Sequence, residues 1–223
     1  MKYRHEWKHE ISFSDRLVLL QRLSAVMRRD PHAIGGVYRV RSLYFDSPGD
    51  TALREKIDGV NVRDKYRIRY YNGDLSFIVL ERKSKRNNLC AKESCRLTAE
   101  EARRIADGDF HCLKSADRPL CAELYAKMLS QGLRPKTIVD YTRDPFEYAP
   151  GNVRVTIDHD IRTGMLRTDF LDPAVLTVPA GDPTIILEVK WDDFLPDVVK
   201  DAVSLQSRRV CAFSKYQQCR IYG

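Results

Sequence analysis

In the stretch Lys65-Tyr66-Arg67-Ile68-Arg69-Tyr70-Tyr71, cations sit two residues apart with aromatic or β-branched residues between them. Successive side chains of a strand point to opposite faces, so Lys65, Arg67 and Arg69 form one basic row. Such a row attracts anions, and guanidinium groups can also make paired hydrogen bonds to phosphate oxygens. Alone, three cations on one face would mark a solvated surface. The pattern, however, recurs along the chain. Arg4, Glu6 and Lys8 alternate with Tyr3, His5 and Trp7, and Glu81 and Lys83 share a phase. Lys92 keeps step with Ser94 and Arg96, and Arg143 with Tyr141. Arg154, Thr156 and Asp158 oppose Val153, Val155 and Ile157, while Glu188 and Lys190 share a phase near the end, before Ser214-Lys215-Tyr216.

The in-phase set holds eleven basic residues (Arg4, Lys8, Lys65, Arg67, Arg69, Lys83, Lys92, Arg143, Arg154, Lys190 and Lys215) and four acids (Glu6, Glu81, Asp158 and Glu188). Its excess equals the net charge of the whole chain, +7. The positive balance favours an anionic partner such as a phosphate compound, nucleic acid or an acidic membrane surface, and its sign alone does not choose among them.

The elements that must carry these residues can be read from periodicity and punctuation. Strands are expected over about 2–11, 38–46, 65–71, 75–83, 90–97, 136–143, 152–158 and 184–191, with Asn72-Gly73 as a hairpin turn. Ser14 reads as the cap of a helix reaching about Arg29, and Thr98-Ala99-Glu100-Glu101 as a capping box opening a helix to about Ala106. Pro119 opens a further helix, and the segment from about Pro196 to Leu205 reads as helical. Lys85-Arg86-Asn87-Asn88 reads as a solvated turn. His5 and Trp7 belong to a packed outer face, and Glu81 and Asp158 read as ion-pair partners that orient neighbouring cations.

Strands with helices inserted between them indicate an α+β protein. Nearly every strand has one ionic face, and burying so many charges unpaired would be prohibitive. A closed antiparallel eight-stranded β-barrel resolves this, with ionic faces lining a watery interior and helices packed outside. With 223 residues and no linker-like or low-complexity stretch, residues 1–223 are expected to form one domain. No apolar run approaches the ~18 residues of a membrane span and the amino terminus lacks a signal-like apolar region, so a cytoplasmic protein is expected. The six cysteines form no CxxC pair and no zinc-like spacing with the histidines, which favours reduced thiols.

At these same residues the sequence resembles the polyphosphate polymerase (VTC) domain of the triphosphate tunnel metalloenzymes. The matching pieces are Arg4-His5-Glu6-Trp7-Lys8, Ser42-Leu43-Tyr44-Phe45-Asp46, Lys65-Tyr66-Arg67-Ile68-Arg69, Leu80-Glu81-Arg82-Lys83, Lys92 with its strand, Tyr141-Thr142-Arg143, Val153 to Asp158, Leu187-Glu188-Val189-Lys190 and Phe213-Ser214-Lys215-Tyr216. They follow the family's order over almost the entire chain. The resemblance implies an eight-stranded tunnel in which cations bind a triphosphate and carboxylates hold Mn²⁺ or Mg²⁺. It implies transfer of the ATP γ-phosphate to a growing inorganic polyphosphate chain. Arg67, Arg69, Lys83 and Lys215 would then be catalytic, and Arg4, Lys8, Lys65, Lys92, Arg143, Arg154 and Lys190 would bind phosphate. Glu188 would be the metal ligand, assisted by Glu6.

Hydrolase and cyclase relatives look for Glu-x-Glu-x-Lys on the first strand; here Arg4 replaces the first carboxylate, which favours the polymerase branch. Ser94 stands where relatives often carry another base. Expected partners are ATP or another triphosphate and polyphosphate, with neither nucleic acid nor a membrane span. Without an SPX-like domain or membrane segments, inositol-phosphate sensing by such a domain and coupled translocation are not expected. The alternatives are a tripolyphosphate or nucleoside-triphosphate hydrolase of the same fold, and a non-catalytic polyanion-binding module.

Overall fold

A computed structural model of the chain describes residues 3–87, 89–114, 117–205 and 210–222. The strands are β1 (His5–Ile11), β2 (Arg28–Arg29), β3 (Tyr38–Asp46), β4 (Val62–Tyr71), β5 (Asp74–Arg86), β6 (Leu89–Leu97), β7 (Arg134–Tyr148), β8 (Val153–Thr163), β9 (Val178–Pro179) and β10 (Ile185–Trp191). They make one antiparallel sheet of order β1-β10-β8-β7-β3-β4-β5-β6, with short β2 added to β7 and β9 to β8. At the β4–β5 hairpin, Asn72 and Gly73 have φ of 53° and 75°, as the mirror-image turn of a two-residue loop requires.

The edge strands β1 and β6 meet at one antiparallel bridge, where Arg4 N donates to Cys90 O at 2.9 Å and Cys90 N to Arg4 O at 3.1 Å. The sheet therefore curls until its edges touch. Among the described residues no ladder continues beyond that bridge, which differs from the continuously closed barrel expected from the sequence. The structural cause lies on the free edge of β1. There Cys211 N donates to Lys8 O at 2.8 Å and Val210 bridges His9, so the 210–212 segment occupies the edge that β6 would need.

Helices α1 (Phe13–Val26), α2 (Thr51–Ile57), α3 (Ala99–Ala106), α4 (Pro119–Ser130), α5 (Asp197–Val203) and α6 (Lys215–Ile221) complete the framework. α1 starts from a capping box of Ser12 with Asp15, two residues before the expected Ser14 cap. It stops before Arg28–Arg29 because those residues pair with β7. The capping box at Thr98 and Glu101 and the start at Pro119 stand where the sequence placed them. None of the described helices is long and apolar enough to cross a membrane.

Two cores cover the convex side. α3 and α4 lay Ala102, Ile105, Leu120, Leu124 and Met128 on Leu43, Tyr66, Ile68, Ile78 and Leu80. α1 and α5 lay Leu19, Leu23 and Val199 on Val155, Ile157, Leu187, Val189 and Trp191. Trp7 joins this second core, edge-on to Trp191 with ring centroids 4.5 Å apart, and His5 stacks on the same indole. α6 departs from the expectation that helices lie outside. Its Tyr216 and Cys219 pack with Val40, Tyr44, Val139 and Tyr141 on the concave side. Ser214 caps it by accepting from Gln217 N, and Tyr216 donates its hydroxyl to Asp46 at 2.6 Å. Asp46 in turn accepts from Ala52 N and Leu53 N, so one carboxylate ties α6 to the start of α2.

Candidate functional site

The curled sheet encloses a cavity of about 450 Å³. Among the described residues lining it, eleven are Lys or Arg and two, Glu6 and Glu188, are acidic. Strand register makes this arrangement: Lys8 lies opposite Glu188 and Glu6 opposite Lys190 across β1 and β10. Lys8 Nζ is 3.2 Å from Glu6 and 3.6 Å from Glu188, and Lys83 Nζ is 3.1 and 3.9 Å from the same carboxylates. Lys190 Nζ is 3.4 Å from Glu6 and 2.8 Å from Glu188, while Arg143 reaches Glu188 at 3.6 Å. Two carboxylates thus share three ammonium groups.

This sharing decides protonation. Burial opposes ionisation of Glu188, but Lys190, Lys8 and Lys83 outweigh it and hold the carboxyl well below the usual range. Glu6 is lowered in the same way, against burial, by Lys83 and Lys8. Lys8 is raised: burial resists its charge, and Glu6 and Glu188 overcome that resistance.

Two further buried carboxylates orient the other cations. Asp158 accepts from Arg143 Nε at 2.6 Å, from Arg143 Nη2 at 2.8 Å and from Lys215 Nζ at 2.6 Å. Glu81 accepts from Arg67 Nε at 2.7 Å and Lys92 Nζ at 2.8 Å, with Arg69 at 3.8 Å. Tyrosine hydroxyls complete the arginine sites: Tyr44 accepts from Arg67 at 2.7 Å and Tyr141 from Arg69 at 3.0 Å. Burial would raise the Tyr44 phenol, yet Arg67 and Arg69 lower it. Lys65 stands apart, because its nearest partner is the Ser214 hydroxyl at 3.4 Å. Burial, then Arg63, Lys56, Lys83 and Lys8, push its ammonium down to about 7.

Glu6, Lys8, Lys65, Arg67, Arg69, Lys83, Arg143, Glu188, Lys190 and Lys215 therefore meet at one cavity. Three other candidates are not among its lining residues. Arg4 pairs with Asp192 at 2.8 Å, beside the bridge that joins the sheet edges. Arg154 faces Glu147 across β7 and β8 and pairs with it at 3.1 Å. Lys92 reaches Glu81 from β6 with its side chain 54% exposed. Lys92 stands opposite Lys83 and Arg154 opposite Lys190 in the ladders, so a shared face and a shared level do not by themselves bring a side chain to the cavity.

Lys56, Arg63 and Lys85 line the cavity and were missed. Arg63 lies two residues before Lys65 and extends the same period, a readable signal. β5 runs to Arg86, so Lys85 remains in phase with Lys83 where a turn was expected. Lys56 comes from α2, which strand periodicity does not reveal.

Among the described residues there is no group of three or more His, Cys, Asp or Glu arranged to hold a metal. Glu6 and Glu188 instead supply two hard carboxylate donors beside a cationic cavity. That donor set fits Mg²⁺ or Mn²⁺ when phosphate oxygens complete the shell, and does not fit an all-protein cage.

A family model described as the VTC domain matches residues 3–222. Among solved structures, a "putative adenylate cyclase" from Bacillus halodurans is 14% identical, with 85% of this chain and 80% of that chain covered and a TM-score of 0.53. The PH1012 protein from Pyrococcus horikoshii OT3 is 13% identical, with 96% and 98% covered and a TM-score of 0.53. At this identity both establish similarity of fold alone. No curated protein matches.

Proposed function

Because the chain belongs to the VTC domain family, we propose that it is a metal-dependent polyphosphate polymerase that transfers the γ-phosphate of ATP to a growing inorganic polyphosphate chain. The observation that carries the reading is the cavity itself, in which eleven cations surround the Glu6 and Glu188 carboxylates. Phosphoryl transfer mainly requires alignment of the phosphates and neutralisation of the charge on the moving group. Preformed cations in a partly dehydrated cavity do both at little reorganisation cost.

In this reading Arg67 and Arg69 grip phosphate oxygens, held in place by Glu81, Tyr44 and Tyr141. Lys83 and Lys215 neutralise charge on the transferred group, and Lys8, Lys65, Arg143 and Lys190 complete the cradle. Arg4, Lys92 and Arg154 act from outside it. Glu188 and Glu6 would hold Mg²⁺ or Mn²⁺, which supplies Lewis-acid charge neutralisation at the phosphates. The curled sheet serves as the tunnel wall, with the Arg4–Cys90 bridge and the 210–212 segment covering the seam between its edges. The protein would work in the cytoplasm, on soluble phosphates rather than nucleic acid.

The test is incubation of purified protein with ATP and Mn²⁺ or Mg²⁺, with separate assays of long-chain polyphosphate and orthophosphate. Polymer is expected from the wild type and is lost in Glu188→Gln and Arg67→Ala. Orthophosphate alone would replace the polymerase reading with a hydrolase of the same fold. Retained triphosphate binding without turnover would make the protein a polyanion-binding module.

A further inference from the structure

The charges of the cavity are unevenly compensated. Lys8, Lys83, Lys190, Arg143, Arg67, Arg69 and Lys215 each have a carboxylate within 4 Å. Among the described residues, Lys56, Arg63, Lys65 and Lys85 have none. The polar partners of the first three are neutral: the carbonyls of Ala212 and Val60 and the hydroxyl of Ser214. Glu55 feels Arg63 and Lys65 but forms no ion pair with either, and is itself raised, first by burial and then by Asp64.

Strand register makes the imbalance sharper. Across β4 and β5, Arg67 lies opposite Glu81, an attractive pair. One step further along the same face, Lys65 lies opposite Lys83, and the next step sets Arg63 opposite Lys85. Directly opposed like charges destabilise an antiparallel pair. Two such pairs in succession, with Lys56 added from α2, are a repulsion that a bound polyanion would relieve. The Lys65 ammonium is depressed first by burial and then by this same repulsion, from Arg63, Lys56 and Lys83.

We propose that Lys56, Arg63 and Lys85, with Lys65 of the cradle at the junction, form a second anion subsite, which binds the linear phosphate chain beyond the three phosphates held at Arg67, Arg69 and the Glu6–Glu188 pair. The inference rests on the triphosphate-site reading and gives that site a direction. Arg63, Lys65, Arg67 and Arg69 stand every second residue, so the row is about 20 Å long, further than a triphosphate extends. The compensated end holds a short anion together with its metal. The uncompensated end receives an unbranched chain carrying a charge on every phosphate.

The experiment is equilibrium binding, without turnover, of tripolyphosphate and of a long linear polyphosphate of defined length to the full chain. Arg63→Ala and Lys85→Ala are expected to weaken the long chain by about tenfold each, the effect of one lost charge-assisted contact. They should leave tripolyphosphate within about twofold, a change too small to represent a lost contact of that kind. Arg63→Lys, which keeps the charge, should recover most of the lost affinity. Arg67→Ala should weaken both ligands. Equal weakening of both ligands by Arg63→Ala and Lys85→Ala, or no weakening of either, overturns the subsite. Loss of neither ligand in Arg67→Ala would instead overturn the triphosphate site on which the inference depends. Absence of polymerase activity would leave the binding result intact.

Discussion

Replacing Asp158 by Asn removes one charge and almost no volume. Asp158 is fully buried and receives three hydrogen bonds, two from Arg143 and one from Lys215. The neutral amide can satisfy no more than part of that set, and it leaves Arg143 with Glu188 at 3.6 Å and Lys215 with no carboxylate within 4 Å among the described residues. Removing one partner of a buried ion pair costs about 3–5 kcal/mol. For a chain of this size that corresponds to a fall in Tm of about 6–20 °C. The sign of the pH dependence follows from the same contacts. Burial opposes the Asp158 charge, Arg143 and Lys215 outweigh burial, and the folded-state pKa lies below the unfolded value. The carboxylate's contribution is therefore complete above the unfolded pKa of about 3.9 and is lost as pH falls through the folded pKa. The deficit of the variant should be constant between about pH 5 and 8, where both states of the wild-type group are ionised. Thermal unfolding of both proteins across that range, with and without tripolyphosphate, measures it. A bound polyanion compensates the two orphaned cations, so the deficit should shrink when ligand is present. A variant within about 0.5 kcal/mol of the wild type, a difference typical of an ordinary surface change, would refute the assignment of Asp158 as the group that holds Arg143 and Lys215 in place.

Lys65, with its ammonium near 7, should be about nine-tenths neutral at pH 8 and take up a proton when triphosphate binds. Calorimetry in buffers of different ionisation enthalpy reads that uptake, and an unchanged buffer dependence in Lys65→Gln would rule it out. The same shift makes Lys65 favour unfolding as pH falls from its ordinary value of 10.5 toward 7, so Lys65→Gln should gain stability relative to the wild type over that window. Gly151, at φ 72°, accepts from Asp192 N just past the end of β10, and an added Cβ would collide with the Phe194 carbonyl oxygen. Gly151→Ala should lose about 1–3 kcal/mol in urea unfolding, and a neutral result would contradict that close approach.

Local rules account for much of what could be read in advance. The Asn72-Gly73 turn, the Thr98 capping box and the helix beginning at Pro119 depend on neighbouring residues alone, and the chain follows them. The two-residue period placed Lys65, Arg67 and Arg69 on one face because alternation is a property of any strand. It extended to Arg63 as well, had the row been followed two residues back. Other features had no local cause. Asp158 meets Lys215 across 57 positions, and Lys83 meets Glu6 across 77. Those contacts exist because the sheet curls, and no window of sequence contains the curl. Curling also brings Lys56 into the cavity from a helix, while Arg4, Lys92 and Arg154 pair with Asp192, Glu81 and Glu147 away from its lining. The 210–212 segment takes the free edge of β1, and α6 then enters the concave face and delivers Lys215. The sequence by itself determined which side chains are cationic and which face of a strand they share. Tertiary structure decided which of them have a carboxylate within reach, because charge compensation depends on distances between strands rather than on spacing within one.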